Sequence, residues 1–142
     1  MEPDSHFMSE AIAAARSEGN PFGCVIVMDG KVIVKAFNTV KKDNDPTAHA
    51  EINAIRFLAK LRLPAHAPVT LYTTCEPCPM CMAAIVFADI GKVVYGVSID
   101  QISRFYRQID IPASEVAQRG FGNVEVKGGI MVEQCLNLLI NK

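Results

Sequence analysis

The chain has 142 residues, of which 50% are hydrophobic, and its 14 lysines and arginines nearly balance its 15 aspartates and glutamates. This length and apolar content suffice for a core, so we expect a single domain over residues 1–142 without disulfide staples. A formal net charge of −1 gives none of the basic surface typical of nucleic-acid-binding proteins. Lys35, Lys41 and Lys42 come closest to a basic patch, and we interpret them as a solvated hairpin edge.

The distribution of apolar residues and cysteines predicts where in the cell the protein is found. No stretch approaches the ~18 apolar residues that a membrane-spanning helix needs, and no leader-like segment begins the chain. We therefore expect a soluble, cytoplasmic protein that does not bind membranes. The cysteines are odd in number, and three of the five lie close together: Cys24, Cys75, Cys78, Cys81 and Cys135. Metal binding explains this crowding better than a disulfide framework does.

The N-terminal part predicts a helix followed by a β-hairpin. Asp4 or Ser5 can cap a helix whose apolar residues recur at helical spacing, and Gly19 ends it. Two apolar runs joined by Asp29-Gly30 predict the hairpin, with strands at Gly23–Met28 and Lys31–Phe37.

The remaining elements alternate between helices and strands. A polar loop at 38–46 precedes a second helix, which Thr47 can cap and which runs to about Lys60. The further predicted elements are a strand at Val69–Thr74, a helix from Pro77 to about Ala88, strands at Val93–Val97 and Val124–Val126, and a helix at Met131–Ile140. Residues 98–122 give no clear pattern.

This order of elements predicts the architecture. Parallel strands need crossover connections that cover both faces of a sheet, so we expect a three-layer α/β/α fold with a mixed five-stranded sheet. The helix from Pro77 to Ala88 is apolar nearly all round. Such a helix must be covered on both sides, by the sheet and by a partner subunit, which predicts a homo-oligomer.

Two short motifs carry the chemistry: His49-Ala50-Glu51 and Pro77-Cys78-Pro79-Met80-Cys81, each at a predicted helix start. Cys78 and Cys81 project to one side of a first helical turn, and His49 supplies a nitrogen from the neighbouring helix start. Three ligands leave a tetrahedral zinc ion one open corner, where bound water has its pKa lowered to about 7. Glu51, next to a ligand, can carry the proton as a general acid and base.

A closed structural site is the alternative interpretation. Cys75 lies three residues before Cys78, so it could join the other three ligands in a Cys3His zinc site that performs no reaction. A structural zinc module of this kind would leave Glu51 without a role. Because the chain has enough core to fold without metal, we interpret Cys75 as a small buried residue at a strand end.

The two motifs, with flanking segments, resemble the cytidine deaminase-like superfamily of zinc deaminases. The resemblance runs from about Asp4 to Val97, through Pro21-Phe22-Gly23, Asn38, the run from Asn44 to Glu51 and the run from Cys75 to Cys81. The Pro-Phe-Gly and Cys-Glu-Pro-Cys-Pro-Met-Cys forms look most like guanine deaminases, with tRNA adenosine deaminases as near relatives. The resemblance implies zinc held by His49, Cys78 and Cys81, Glu51 as proton shuttle, and a homodimer.

The resemblance also implies residues that contact the substrate. Phe22 and Asn38 match positions that hold the base, and Ala50 and Pro77 belong to the same motifs. An amide that both donates and accepts, as in Asn38, suits the edge of a heterocycle. Asp100 and Phe105 lie where a lid or pocket wall would form, which makes them weaker candidates.

The implied substrate is a nucleobase or nucleoside whose exocyclic amine is replaced by oxygen. The first candidate substrate is a guanine-like base, which would place the chain in purine metabolism. The next candidate is cytosine or another amino-heterocycle. The acidic and aromatic tail of guanine deaminases has no match after Val97, whereas residues 128–139 look more like the end of the tRNA adenosine deaminases. Adenosine in tRNA is therefore a further alternative, which the balanced charge disfavours.

Overall fold

The computed structural model describes residues 2–141, and within them five strands form one sheet in the order β2-β1-β3-β4-β5. The strands are β1 (Gly23–Met28), β2 (Lys31–Phe37), β3 (Thr70–Cys75), β4 (Lys92–Val97) and β5 (Glu125–Lys127). The helices are α1 (Pro3–Ser17), α2 (Val40–Asp43), α3 (Ala50–Lys60), α4 (Pro79–Phe87), α5 (Ile99–Ile102), α6 (Ala113–Arg119) and α7 (Val132–Ile140).

The sheet is mixed, as the sequence predicts. β1 pairs antiparallel with β2 and with β3, whereas β3, β4 and β5 run parallel. β1 and β3 therefore join an N-terminal hairpin to a parallel half whose strands are connected through helices.

Helices cover both faces of the sheet, which confirms the three-layer α/β/α architecture. Alternate residues of β1 point to opposite faces, so that Val25 and Val27 pack with α1 and α7, while Cys24 and Ile26 pack with α3 and α4. β1 and β3 lie inside the sheet and are buried along nearly their whole length. Their continuous apolar runs follow from burial on both faces.

Two helix starts differ from the sequence prediction. α1 begins at Pro3, whose ring suits the first helical position, and Glu2 is its N-cap. Asp4 lies inside the first turn and accepts hydrogen bonds from the Tyr72 hydroxyl and Lys127 Nζ, each at 2.8 Å. The second predicted helix begins after His49, not after Thr47.

Thr47 does not cap that helix because its hydroxyl is used in the preceding turn. The hydroxyl donates to Asp45 Oδ1 at 2.7 Å, and the Thr47 backbone N–H donates to the same oxygen at 2.9 Å. The loop before this turn also contains the short helix α2. Lys41 and Lys42 lie on α2 and not on a hairpin edge, whereas Lys35 lies on β2.

The segment that gave no clear pattern contains two short helices, α5 and α6. The Ser98 hydroxyl accepts a hydrogen bond from the Gln101 backbone N–H, and the Gln101 side chain accepts one from the Ser98 backbone N–H. Together these bonds form a capping box at the start of α5. No helix among residues 2–141 combines the length and the apolar character needed to cross a bilayer.

The glycine of the Pro21-Phe22-Gly23 motif has a packing role, because α1 passes directly over β1 at Gly23. A Cβ at position 23 would collide with the Ala11 carbonyl oxygen and would lie 2.7 Å from the Ala15 backbone nitrogen. Glycine is therefore needed for the close approach of helix and strand, independently of any contact with substrate.

We expect Gly23→Ala to lower the free energy of unfolding by about 3 kcal/mol, because backbone atoms cannot move aside as side chains do. Gly91→Ala is the matched control, since a Cβ there would meet nothing within 4 Å. Urea denaturation of both variants measures the difference. Equal stabilities would contradict the proposed packing role of Gly23.

Candidate active site

Three side chains at two helix starts form a group of candidate metal ligands. His49 and Cys78 are the N-cap residues of α3 and α4, and Cys81 lies in the first turn of α4. His49 Nδ1 lies 3.7 Å from Cys78 Sγ and 3.5 Å from Cys81 Sγ. The candidate ligand atoms all lie within 4.8 Å of one another, as binding to one ion requires.

The electrostatics of the group suit a soft divalent cation. A hydrogen bond from the Cys81 thiol, helped by His49, lowers the pKa of Cys78 to about 4 despite burial. The same hydrogen bond, followed by burial, raises the pKa of Cys81. The hydrogen bond to Cys78 also raises the pKa of His49, and the Pro46 backbone adds slightly to this effect.

This donor set fits zinc. Two sulfurs and one imidazole nitrogen are typical zinc ligands, and a bound cation would draw the remaining thiol proton off Cys81. The helix N-termini add partial positive charge that favours the Cys78 thiolate.

Cys75 does not belong to the group of candidate ligands found among residues 2–141. It is the last residue of β3 and is buried, in agreement with the interpretation as a small core residue. Burial, followed by the charge of Glu51, raises the pKa of its thiol well above the usual value. A closed Cys3His site would need this thiol to join the three candidate ligands, and among residues 2–141 it does not lie within their group.

Glu51 is a buried carboxyl group beside the candidate metal ligands. It lies in the first turn of α3 with 7% of its surface exposed. Burial raises the pKa of Glu51 to about 7, and Cys78 adds to this effect, while a hydrogen bond with the Thr73 side chain opposes it. A carboxyl group with this pKa can both accept and donate a proton near neutral pH.

A cavity of about 750 Å³ opens onto these side chains, with His49, Glu51 and Cys78 in its lining. Phe22 and Asn38 also line it. Ala50 and Pro77 are buried residues that are not part of the lining.

The other two candidates lie outside the lining. Asp100 and Phe105 do not line the cavity, whereas Tyr106 does, with its ring 5.2 Å from the Phe22 ring. The sequence missed Tyr106 because residues 98–122 show no periodicity from which a side-chain direction could be read.

An asparagine network holds the two predicted substrate contacts in place. Asn20 accepts a hydrogen bond from the Phe22 backbone N–H at 2.8 Å and donates to the Asn38 carbonyl at 2.9 Å. Asn38 Oδ1 accepts from the Val40 N–H at 3.0 Å, which leaves the side-chain NH2 group as the donor for a ligand. Asn53 donates to the Phe37 carbonyl at 2.8 Å and so fixes the end of β2.

The fold and the site define a zinc-binding enzyme with a buried carboxyl group beside the candidate metal ligands. Residues 1–97 match the family model for the cytidine and deoxycytidylate deaminase zinc-binding region, and the chain belongs to this family of zinc-dependent deaminases, hydrolases that act on C–N bonds. The zinc ligands His49, Cys78 and Cys81 and the carboxyl of Glu51 all fall within the matched residues.

The similar proteins include enzymes with two different named activities, guanine deamination and tRNA adenosine deamination. The guanine deaminase of Bacillus subtilis (strain 168) is 44% identical over 106 residues, covering 68% of this chain and 67% of that protein. The tRNA-specific adenosine deaminase of Agrobacterium fabrum is 42% identical over 122 residues, covering 76% and 78%. A solved structure from studies of A-to-I editing by tRNA:A34 deaminases has a TM-score of 0.75 at 35% identity, covering 94% of this chain and 98% of that one.

We expect Cys78→Ser to lose zinc and Cys75→Ser to keep it. A serine hydroxyl does not replace a zinc-binding thiolate, whereas Cys75 lies outside the group of ligands. Inductively coupled plasma mass spectrometry after dialysis against a weak chelator measures the zinc content of both variants. Loss of zinc from Cys75→Ser, with the fold intact, would instead assign Cys75 as a ligand of a closed site.

Proposed function

We propose that the chain deaminates a purine ring and that its first substrate is a free guanine-like base. The purine class is supported by the named activities of the two relatives, guanine deamination and tRNA adenosine deamination, since both act on purines. The free base is supported by the motif forms and by the net charge of −1. The observation that carries the proposal is a buried carboxyl, Glu51, beside three candidate zinc ligands, two of which line the same cavity as Glu51.

Each side chain of the site has a defined task in this reaction. His49, Cys78 and Cys81 would hold a zinc ion, which would activate a water molecule near neutral pH. The NH2 group of Asn38 donates to an acceptor on the ring edge, and the Phe22 ring packs against the base.

Glu51 moves the proton. Its carboxylate takes one proton from the attacking water and delivers it to a ring nitrogen as the C–O bond forms at the ring carbon. It then takes the second proton, from the hydroxyl group now on that carbon, and delivers it to the amine, which leaves as ammonia when the C–N bond breaks. A pKa of about 7 lets Glu51 act in both directions without a second acid.

Adenosine in tRNA is a second candidate, which specific observations favour. Three cations line the same cavity as three carboxyl groups: Lys41, Lys42 and Arg107 beside Glu18, Glu51 and Glu76. Cations in this position can contact backbone phosphates of a nucleic acid whose base enters the site. The match to the Agrobacterium fabrum enzyme also extends further along the chain than the match to guanine deaminase.

A substrate panel tests the function and separates the candidates. We expect the zinc-loaded protein to release ammonia from guanine and Glu51→Gln to lower the rate at least about 100-fold, because the amide cannot shuttle a proton. Adenine, cytosine, their nucleosides and an adenosine-bearing tRNA stem-loop complete the panel. Glu115→Gln is the matched control, since Glu115 is a partly exposed carboxylate paired with Arg119.

The outcomes differ between the candidates. If the protein deaminates the stem-loop but not guanine, and if this activity falls steeply with salt, the substrate is adenosine in tRNA and not a free base. The salt dependence is expected because phosphate contacts weaken with ionic strength. Absence of turnover across the whole panel, with zinc bound, would refute purine deamination. Full activity of Glu51→Gln would refute its role as proton carrier.

We also propose a homodimer formed through the helical layer of α3, α4 and α6. Phe87 on α4 is 76% exposed and its ring contacts that of Phe121, which follows α6 and is 61% exposed. Phe57 and Leu61, on and just after α3, are also exposed. Large apolar side chains exposed together on one layer are typical of a protein interface.

We expect Phe87→Glu to shift a dimer to a monomer, because a charge placed in an apolar interface must be desolvated. Ile140→Glu is the control, since Ile140 is 55% exposed but lies on α7, in the opposite layer. Light scattering over a range of protein concentrations gives the mass. A wild-type monomer at all concentrations would refute the dimer.

A further inference from the structure

One wall of the active-site cavity belongs to a segment with little regular structure of its own. Residues 99–113, here called the wall segment, begin with α5 and end where α6 begins. Ile102, Tyr106 and Arg107 of this segment line the cavity. α5 has four residues and α6 has seven, lengths at which an isolated helix is unstable in water. Tertiary contacts must therefore fix the wall segment.

A single carboxylate binds both ends of the wall segment. Glu76 Oε1 accepts a hydrogen bond from the backbone N–H of Ile99 at 2.8 Å, and Glu76 Oε2 accepts one from the backbone N–H of Ala113 at 2.7 Å. Ile99 is the first residue of α5 and Ala113 is the first residue of α6. Glu76 is 6% exposed, so water does not compete freely for these two donors.

The same residue is fixed to the sheet and to the metal-binding turn. Its backbone N–H donates to the Val97 carbonyl at 2.8 Å, and it lies between Cys75 and Cys78 in the chain. The charge of the carboxylate complements the positive ends of both short helices, and without it two N–H groups at helix starts would lose their partner.

We infer that Glu76 is a positioning residue that closes the wall segment into a loop and sets its place relative to the zinc ligands. Compact loops whose ends meet are held by few contacts and often carry function. Because Tyr106 and Arg107 lie between the two fixed ends, Glu76 determines where the substrate meets this wall. The consequence for substrate selection rests on the proposed deaminase function, whereas the loop closure does not.

Two substitutions at this position separate length from charge. Glu76→Gln keeps the length, but its NH2 group faces one of the two N–H donors and cannot accept from it. Glu76→Asp keeps the charge, but its side chain is shorter by one methylene and cannot reach both donors. Glu115→Gln, on α6 itself, is the matched control for loss of a carboxylate.

Hydrogen exchange of the zinc-loaded protein tests the closure directly. We expect amides of residues 99–113 to exchange at least about tenfold faster in Glu76→Gln and Glu76→Asp, while β1 and β3 and the zinc content stay unchanged. Unchanged protection of residues 99–113 would overturn the inference. Loss of protection throughout the chain, or loss of zinc, would also overturn it by making Glu76 a general stability residue.

Steady-state kinetics test the consequence for the substrate. We expect KM to rise about tenfold with kcat within about threefold, since the zinc ligands and Glu51 are untouched. A fall in kcat at constant KM would refute positioning of the substrate wall. If no panel substrate is turned over by the wild type, the proposed function fails while the exchange result still decides the loop closure.

Discussion

The positive ends of two helices meet near the C-terminal end of the central strand β3, and the active site depends on this convergence. α3 begins after His49 and α4 begins after Cys78, so each helix starts at a zinc ligand. Each N-terminus carries the equivalent of roughly half a positive charge, which favours a thiolate where the ion binds. The same crowding buries Glu51 in the first turn of α3, where desolvation raises its pKa to about 7. One backbone arrangement thus supplies both the candidate metal ligands and the buried carboxyl group that we propose to carry the proton.

Side chains that bond to backbone groups hold the irregular segments around this centre. Asn20 joins the residues on either side of the hairpin, Asn53 fixes the end of β2, and Glu76 binds the starts of α5 and α6. A site made largely of loops can therefore keep fixed distances without long helices or strands in its walls. Polar networks that are fully satisfied rigidify a structure in this way.

The sequence predicts those parts of the molecule whose structure depends on residues close together in the chain. Apolar runs and helical spacing predict the sheet and the covering helices, and the motif spacing predicts the group of His49, Cys78 and Cys81. Thr47 was wrongly predicted to cap a helix, because its hydroxyl is used by Asp45 in the turn before it. Helices as short as α5 and α6 contain too few turns to show a period, and the partners of Glu76 are distant in the chain, so the cavity wall could not be predicted.

His49 and the two cysteines belong to chain segments on either side of β3 in the sequence. His49 follows the hairpin, whereas Cys78 and Cys81 follow β3, and the sequence separations are 29 and 32 residues. An ion held by all three is therefore a cross-link between two halves of the chain, comparable in topology to a disulfide. By linkage, each tenfold excess of free zinc over its dissociation constant adds about 1.4 kcal/mol to the stability of the folded state. The catalytic ion thereby also makes folding sensitive to the supply of metal.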